Sequence, residues 1–126
     1  MGNKIEKIFL DTSFLFAWLN KDDNFHNIAI DFINSLQGKH VCFFITDYII
    51  DETLTLILIR SNKRKAIAVA NNIIEFCEKD PHINLVYIQE NFFVKAMKVF
   101  QKYDDKNWSF TDCTSYVIMR SLQISK

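Results

Sequence analysis

Three short apolar runs, 5–10, 41–45 and 83–88, each close on polar residues, and the stretches between them carry apolar residues at the 3–4 spacing of amphipathic helices. Strands separated by helices are joined by right-handed crossovers, so they lie parallel and the sheet takes helices on both faces. The pattern therefore predicts an α/β fold, a three-layer α/β/α arrangement around a central, mainly parallel sheet. Two glycines and one proline in 126 residues supply too few turns for a sandwich or barrel, and the length suits one domain spanning 1–126.

Ile5 to Leu10 predicts the first strand, Asp11-Thr12-Ser13 a polar turn and Phe14 to Leu19 a helix. Phe25, Ile28, Ala29, Phe32, Ile33 and Leu36 mark a helix that closes at Gly38. Val41 to Ile45 reads as the second strand, and Tyr48 to Arg60 as a helix that is hydrophobic almost all round. Ala66 to Cys77 is a further helix, stopped by Asp80-Pro81; Ile83 to Ile88 is the third strand. A helix over about 89–103, a polar loop over 104–108 and a last helix through Phe110, Cys113, Tyr116, Val117 and Met119 complete the chain.

Fifteen basic and fifteen acidic side chains cancel, so no global positive field gathers nucleic acid or an anionic membrane, and any polyanion must be held locally. Cys42, Cys77 and Cys113 are odd in number, widely spaced and set among apolar residues, which suggests reduced thiols rather than disulfides or zinc ligands. The first ten residues lack the apolar core of a signal peptide, and the expectation is a cytoplasmic protein with no membrane span. Phe, Trp and Tyr make up 14% of the chain, but their helical spacing assigns them to the core and not to a base-stacking platform.

Ligands of parallel sheets collect beyond the carboxyl ends of the strands, which directs attention to Asp11 after the first strand and Thr46-Asp47 after the second. Asp11 suits a helix N-cap and equally a metal ligand. On the helical wheel Glu52 falls between Leu56 and Ile59, interrupting an apolar face; a carboxylate there needs a basic side chain or a cation as partner. Ser109-Phe110-Thr111-Asp112 matches a capping box, so Asp112 could serve only to start its helix. Were Asp11, Glu52 and Asp112 to converge, each close pair would repel by about 4 kcal/mol at 4 Å and an effective dielectric near 20. All-oxygen ligation of a neutralising cation points to Mg²⁺ or Mn²⁺.

Phe9-Leu10-Asp11-Thr12-Ser13, Thr46-Asp47-Tyr48 leading to Glu52, and above all the stretch from Asp105 through Trp108-Ser109-Phe110-Thr111-Asp112 to Ser115 resemble the PIN-domain family and its VapC-type toxins. The resemblance implies a compact α/β/α nuclease and Mg²⁺- or Mn²⁺-dependent hydrolysis of RNA. Asp11, Glu52 and Asp112 match the family's first three acidic ligands, Asp105 looks like an additional loop aspartate, and Ser13 takes the small polar position that orients water or ligand. Arg60, Lys63, Arg64 and Lys65 are candidates for RNA backbone contacts, with Lys95, Lys98, Lys102 and Lys106 as a second set. A small antitoxin protein and a second copy of the chain are the implied partners. His26, His40 and His82 are read as surface or helix-flank residues.

Relatives of this type continue beyond the last helix into another strand and a further acidic position, whereas this sequence ends at Ser125-Lys126. The expectation is a sheet lacking the family's last strand, with apolar surface around Val117, Ile118 and Leu122 left less covered. A second reading follows from the same gap: a catalytically silent PIN-like module that works by dimerisation or by binding an antitoxin or other protein. A receiver-like phosphoacceptor domain fits poorly, because neither an acidic pair at the first strand nor a strand-end lysine near the acids is visible.

Overall fold

The computed structural model describes residues 4–125; residues 1–3 and Lys126, which the sequence reading included, lie outside the described residues. Three strands and six helices follow in the order β1 (Glu6–Phe9), α1 (Thr12–Leu19), α2 (His26–Ser35), β2 (Val41–Thr46), α3 (Asp47–Arg60), α4 (Lys63–Lys79), β3 (Ile83–Val86), α5 (Glu90–Lys102) and α6 (Phe110–Ser121). The strands form one sheet in the order β1-β2-β3, parallel throughout, with Ile8 opposite Phe43 and Phe43 opposite Ile83. Helices flank this sheet, so the fold is the α/β arrangement that the alternation of periods predicts.

Four of the six helices, α1, α3, α4 and α6, begin where the chain offers a side-chain cap. Thr46 Oγ1 accepts the Ile49 N–H at 3.1 Å to start α3, and Asn62 Oδ1 accepts the Lys65 N–H at 2.8 Å to start α4. Past α2, Gly38 sits at φ +80°, a left-handed conformation that suits a residue without Cβ. Asp47 is claimed by the scaffold: its Oδ1 accepts the Ile88 N–H at 2.9 Å and ties the start of α3 to the chain leaving β3.

The main core joins Ile8, Phe9 and Leu10 of the first strand segment to Leu15, Val41, Ile45, Ile49, Ile118 and Ile124. A second cluster, Phe16, Ile57, Ala66, Val69 and Ile73, seats α4 on α1 and α3. Two expectations are corrected here. Val117 and Ile118 are buried and Leu122 half-buried, because α6 turns them onto the sheet and the α5 face. On α3 the buried stripe is Ile49, Thr53 and Ile57, while Ile59, the expected neighbour of Glu52 on an apolar face, is 73% exposed. A helix that is hydrophobic all round has no periodic signal to say which face turns inward.

Candidate active site

Asp11, at the carboxyl end of β1, is the N-cap of α1, its Oδ1 accepting the Phe14 N–H at 2.9 Å. Asp112 begins α6 in a complete capping box: its Oδ2 accepts the Ser109 N–H at 2.9 Å while Ser109 Oγ accepts the Asp112 N–H at 3.0 Å. Both aspartates are thus helix caps, and each caps with one oxygen only. Asp11 Oδ2 and Asp112 Oδ1 have no hydrogen-bond partner among the described residues.

These two helix starts meet. Asp11 and Asp112 line one cleft of about 450 Å³ together with Phe9, Trp108, Ser115, Tyr116 and Met119. Ser115 Oγ is buried there without a hydrogen-bond partner, the only such side-chain atom among the described residues. A buried hydroxyl left unpaired costs about 1–3 kcal/mol, so the acid-lined cleft carries an unmet polar group. Neither Ser115 nor Trp108 stands out in the sequence as a site residue, since a hydroxyl on a helix flank and an aromatic near a loop have ordinary structural uses.

Glu52 does not line that cleft. Its Oε1 accepts a hydrogen bond of 2.6 Å from Thr12 Oγ1, and no basic side chain is paired with it among the described residues. Thr12 is buried directly after Asp11, which makes it the residue linking the Glu52 carboxylate of α3 to the first aspartate. Ser13 is exposed and lines a different, apolar groove beside Asp11. Asp105 is exposed in the turn before α6, near enough to Tyr103 for its charge to help raise that phenol.

Among the described residues no three His, Cys, Asp or Glu side chains gather closely enough to hold an ion. The cleft offers instead two carboxylates and an unpaired hydroxyl, an all-oxygen set. That set suits Mg²⁺ or Mn²⁺, which take one or two carboxylates and fill their remaining positions with water and phosphate oxygens. The neighbouring Cys113 does not compete as a ligand or nucleophile, because burial, with the Asp112 charge beside it, pushes its thiol up and keeps it protonated at neutral pH.

Of the expected RNA-binding residues, Arg60 and Lys65 lie at the far end of α1 from Asp11, about 12 Å along the helix. Lys65 is paired with Asp22, and the Arg60 guanidinium lies 5.3 Å over the Phe16 ring. Lys63 and Arg64 are exposed in the first turn of α4. Tyr103, Trp108 and Tyr116 depart from the core role given to the aromatics: they are half-buried and group beside the acidic cleft, with ring centroids 5.4–6.2 Å apart.

Residues 8–126 match the family model of the PIN domain. The chain belongs to the PIN-domain family. It is 30% identical over 118 residues to a VapC ribonuclease of Archaeoglobus fulgidus, an alignment spanning 91% of this chain and 71% of that protein. In three dimensions it matches the crystal structure of Mycobacterium tuberculosis VapC20, a sarcin-ricin-loop-cleaving toxin, with a TM-score of 0.79 at 26% identity over 93% of this chain and 84% of that one. This PIN domain therefore sits within the VapC toxin ribonucleases, as the motifs around Asp11 and Asp112 imply. No helix among its described residues is long and apolar enough to cross a membrane.

Proposed function

We propose that this PIN domain is a divalent-metal-dependent endoribonuclease, the toxin of a toxin-antitoxin pair, whose working residues are Asp11 and Asp112 with Glu52 in support. One observation carries the reading: two aspartates from distant parts of the chain, each with a free carboxylate oxygen, face one cleft beside the unpaired Ser115 hydroxyl. When bound there, Mg²⁺ or Mn²⁺ supplies Lewis-acid polarisation of the scissile phosphate and an activated water nucleophile. The chain's own part is positional. Helix capping fixes both carboxylates in place, Asp11 and Asp112 would hold the cation, and Ser115 Oγ would donate to a phosphate or water oxygen. Thr12, next to Asp11, holds Glu52, while Ser13 lies in the neighbouring groove that Asp11 also lines and Asp105 in the turn before α6.

The partner proteins follow from two apolar surfaces. A groove of about 680 Å³ runs between β1, α1 and α2, lined by Phe14, Phe25, Ile28 and Phe32, and it reaches Asp11 itself. An antitoxin segment with apolar side chains seated in this groove would lie across the entrance to the acids, which explains how binding could silence a ribonuclease. Leu58, Ile59, Ile67 and Ile74 form exposed apolar surface on α3 and α4 and support a homodimer.

The silent-module reading keeps one observation in its favour: Glu52 is engaged by Thr12, and no trio of ligating side chains is assembled among the described residues. Calorimetric titration with Mn²⁺, run beside cleavage of a labelled RNA with and without EDTA, separates the two. The nuclease reading expects saturable Mn²⁺ binding and EDTA-sensitive cleavage, both lost in Asp11→Asn and Asp112→Asn, which keep a capping side chain and hence the fold. Absence of Mn²⁺ binding and of cleavage in the well-folded wild type would leave the binding module.

A further inference from the structure

Helix α6 carries a stripe that the two aspartates do not exhaust. Asp112, Tyr116 and Arg120 are spaced four apart and so share one face, with Trp108 packed against Tyr116 at its start. Tyr116 lines the acidic cleft on one side and, on the other, a second cavity of about 400 Å³ between α5 and α6. Lys95, Lys102 and Arg120 supply the charge of that second cavity, and Tyr103 its other ring.

Three features set this cavity apart from an ordinary solvated basic face. First, its three cations gather on one cavity, and none has a carboxylate within ion-pair distance among the described residues. Second, two of the cations rest on the aromatic group: Arg120 Nη1 donates to Tyr116 Oη at 2.8 Å, and Lys102 Nζ lies 5.5 Å from the Tyr103 ring. Third, the frame and its cations are linked: the Arg120 hydrogen bond, then that of Tyr103, and after them the charges of Arg120 and Lys102 hold the Tyr116 phenol below its usual value. A cluster of unneutralised positive charge beside half-buried aromatic rings suits a polyanion whose units also stack.

We infer that the cavity of Lys95, Lys102 and Arg120 binds backbone phosphates of the RNA strand whose scissile phosphate lies at Asp11 and Asp112, with the Tyr103–Trp108–Tyr116 rings stacking the intervening bases. The inference rests on the ribonuclease reading and adds the path of the substrate to it. From Asp112 to Arg120 the helix rises about 12 Å. The subsite therefore selects RNA long enough to reach both ends of the stripe. Lys95 and Lys102 belong to the second basic set read from the sequence; Arg120 and the tyrosines are added by the fold alone.

The test is binding of a 5′-fluorescein-labelled oligouridylate of about ten nucleotides, followed by anisotropy in EDTA across a salt series, so that cleavage plays no part. At about 0.1 M salt, Arg120→Gln is expected to weaken binding about fivefold and to lower the salt slope by about 0.7, the contribution of one phosphate on a single strand. Lys95→Gln with Lys102→Gln is expected to weaken it about 25-fold, and Arg120→Lys to restore most of the affinity. Arg120 is exposed, and circular dichroism verifies the fold of each variant. Unchanged affinity and slope in these variants, or loss in Lys63→Gln/Arg64→Gln instead, overturns the assignment. So does equal, pocket-dependent binding of polyglutamate, which would mark an acidic protein surface as the occupant. Pocket-dependent RNA binding in a chain that never cleaves RNA would sustain this subsite while removing the ribonuclease reading.

Discussion

Thr12 Oγ1 lies 2.6 Å from Glu52 Oε1, joining residues forty apart in the chain through one charge-assisted hydrogen bond at the start of α1. Such a bond to an ionised carboxylate contributes about 1.5–3 kcal/mol when it is shielded from water. It fixes α1 against α3 next to Asp11, so the backbone that aims the first aspartate is anchored by the α3 carboxylate.

Replacing Thr12 with valine keeps the shape and deletes the donor, leaving a half-buried carboxylate without its partner. Stability should fall by about 2 kcal/mol in urea denaturation, and Glu52→Gln should cost less because an amide oxygen still accepts from the threonine. Equal losses in the two variants would show that the hydroxyl has no special bond to Glu52.

Ser115→Ala removes the buried hydroxyl that finds no protein partner. Without metal or RNA the variant should be as stable as the wild type or more stable by about 1 kcal/mol, since an unpaired polar group is exchanged for an apolar one. RNA cleavage should nonetheless drop. A thermal melt and a cleavage assay on the same sample check the opposed signs, and a destabilised variant would mean that the hydroxyl is satisfied within the protein.

Ile118 is fully buried between α6 and the sheet. Ile118→Ala should lose about 2–5 kcal/mol and Ile118→Val about 1 kcal/mol, read from denaturation midpoints, because the closely packed core cannot collapse around the missing methyl groups. Since α6 carries Asp112, cleavage should fall with the alanine variant more than with the valine one.

Tyrosine ionisation gives a pH test of the aromatic frame. The Arg120 hydrogen bond, and after it the bond from Tyr103, lower the Tyr116 phenol, while the same contact with Tyr116 raises Tyr103. Absorbance at alkaline pH should show one phenol titrating below the usual value of 10.0, and Arg120→Gln should abolish that early phase. The sign for stability follows. A phenol whose folded value is depressed favours the ionised fold, so its contribution is present above the unfolded value and gone once pH falls through the folded one. Melting temperature at neutral pH should therefore be the same in Tyr116→Phe and wild type as far as this titration is concerned, and the two should part only in alkali.

The sequence by itself determined the elements and their order. Apolar runs of strand length and 3–4 spacings are local properties of consecutive residues, and caps such as Asn62, Ser109 and the glycine after α2 announce themselves within four positions. Asp11 and Asp112 were also legible, because a carboxylate just past a strand or just inside a helix occupies a fixed place in an α/β sheet. What only the tertiary structure decided were relations between distant segments. The choice of Ile49, Thr53 and Ile57 as the inward stripe of α3, the pairing of Glu52 with Thr12, the burial of Ile118 and the gathering of Tyr103, Trp108 and Tyr116 beside Arg120 all depend on which helix packs where. Periodicity states that a face is apolar or polar; it carries no information about the partner that face will meet, since that is fixed by packing and loop closure across the whole chain.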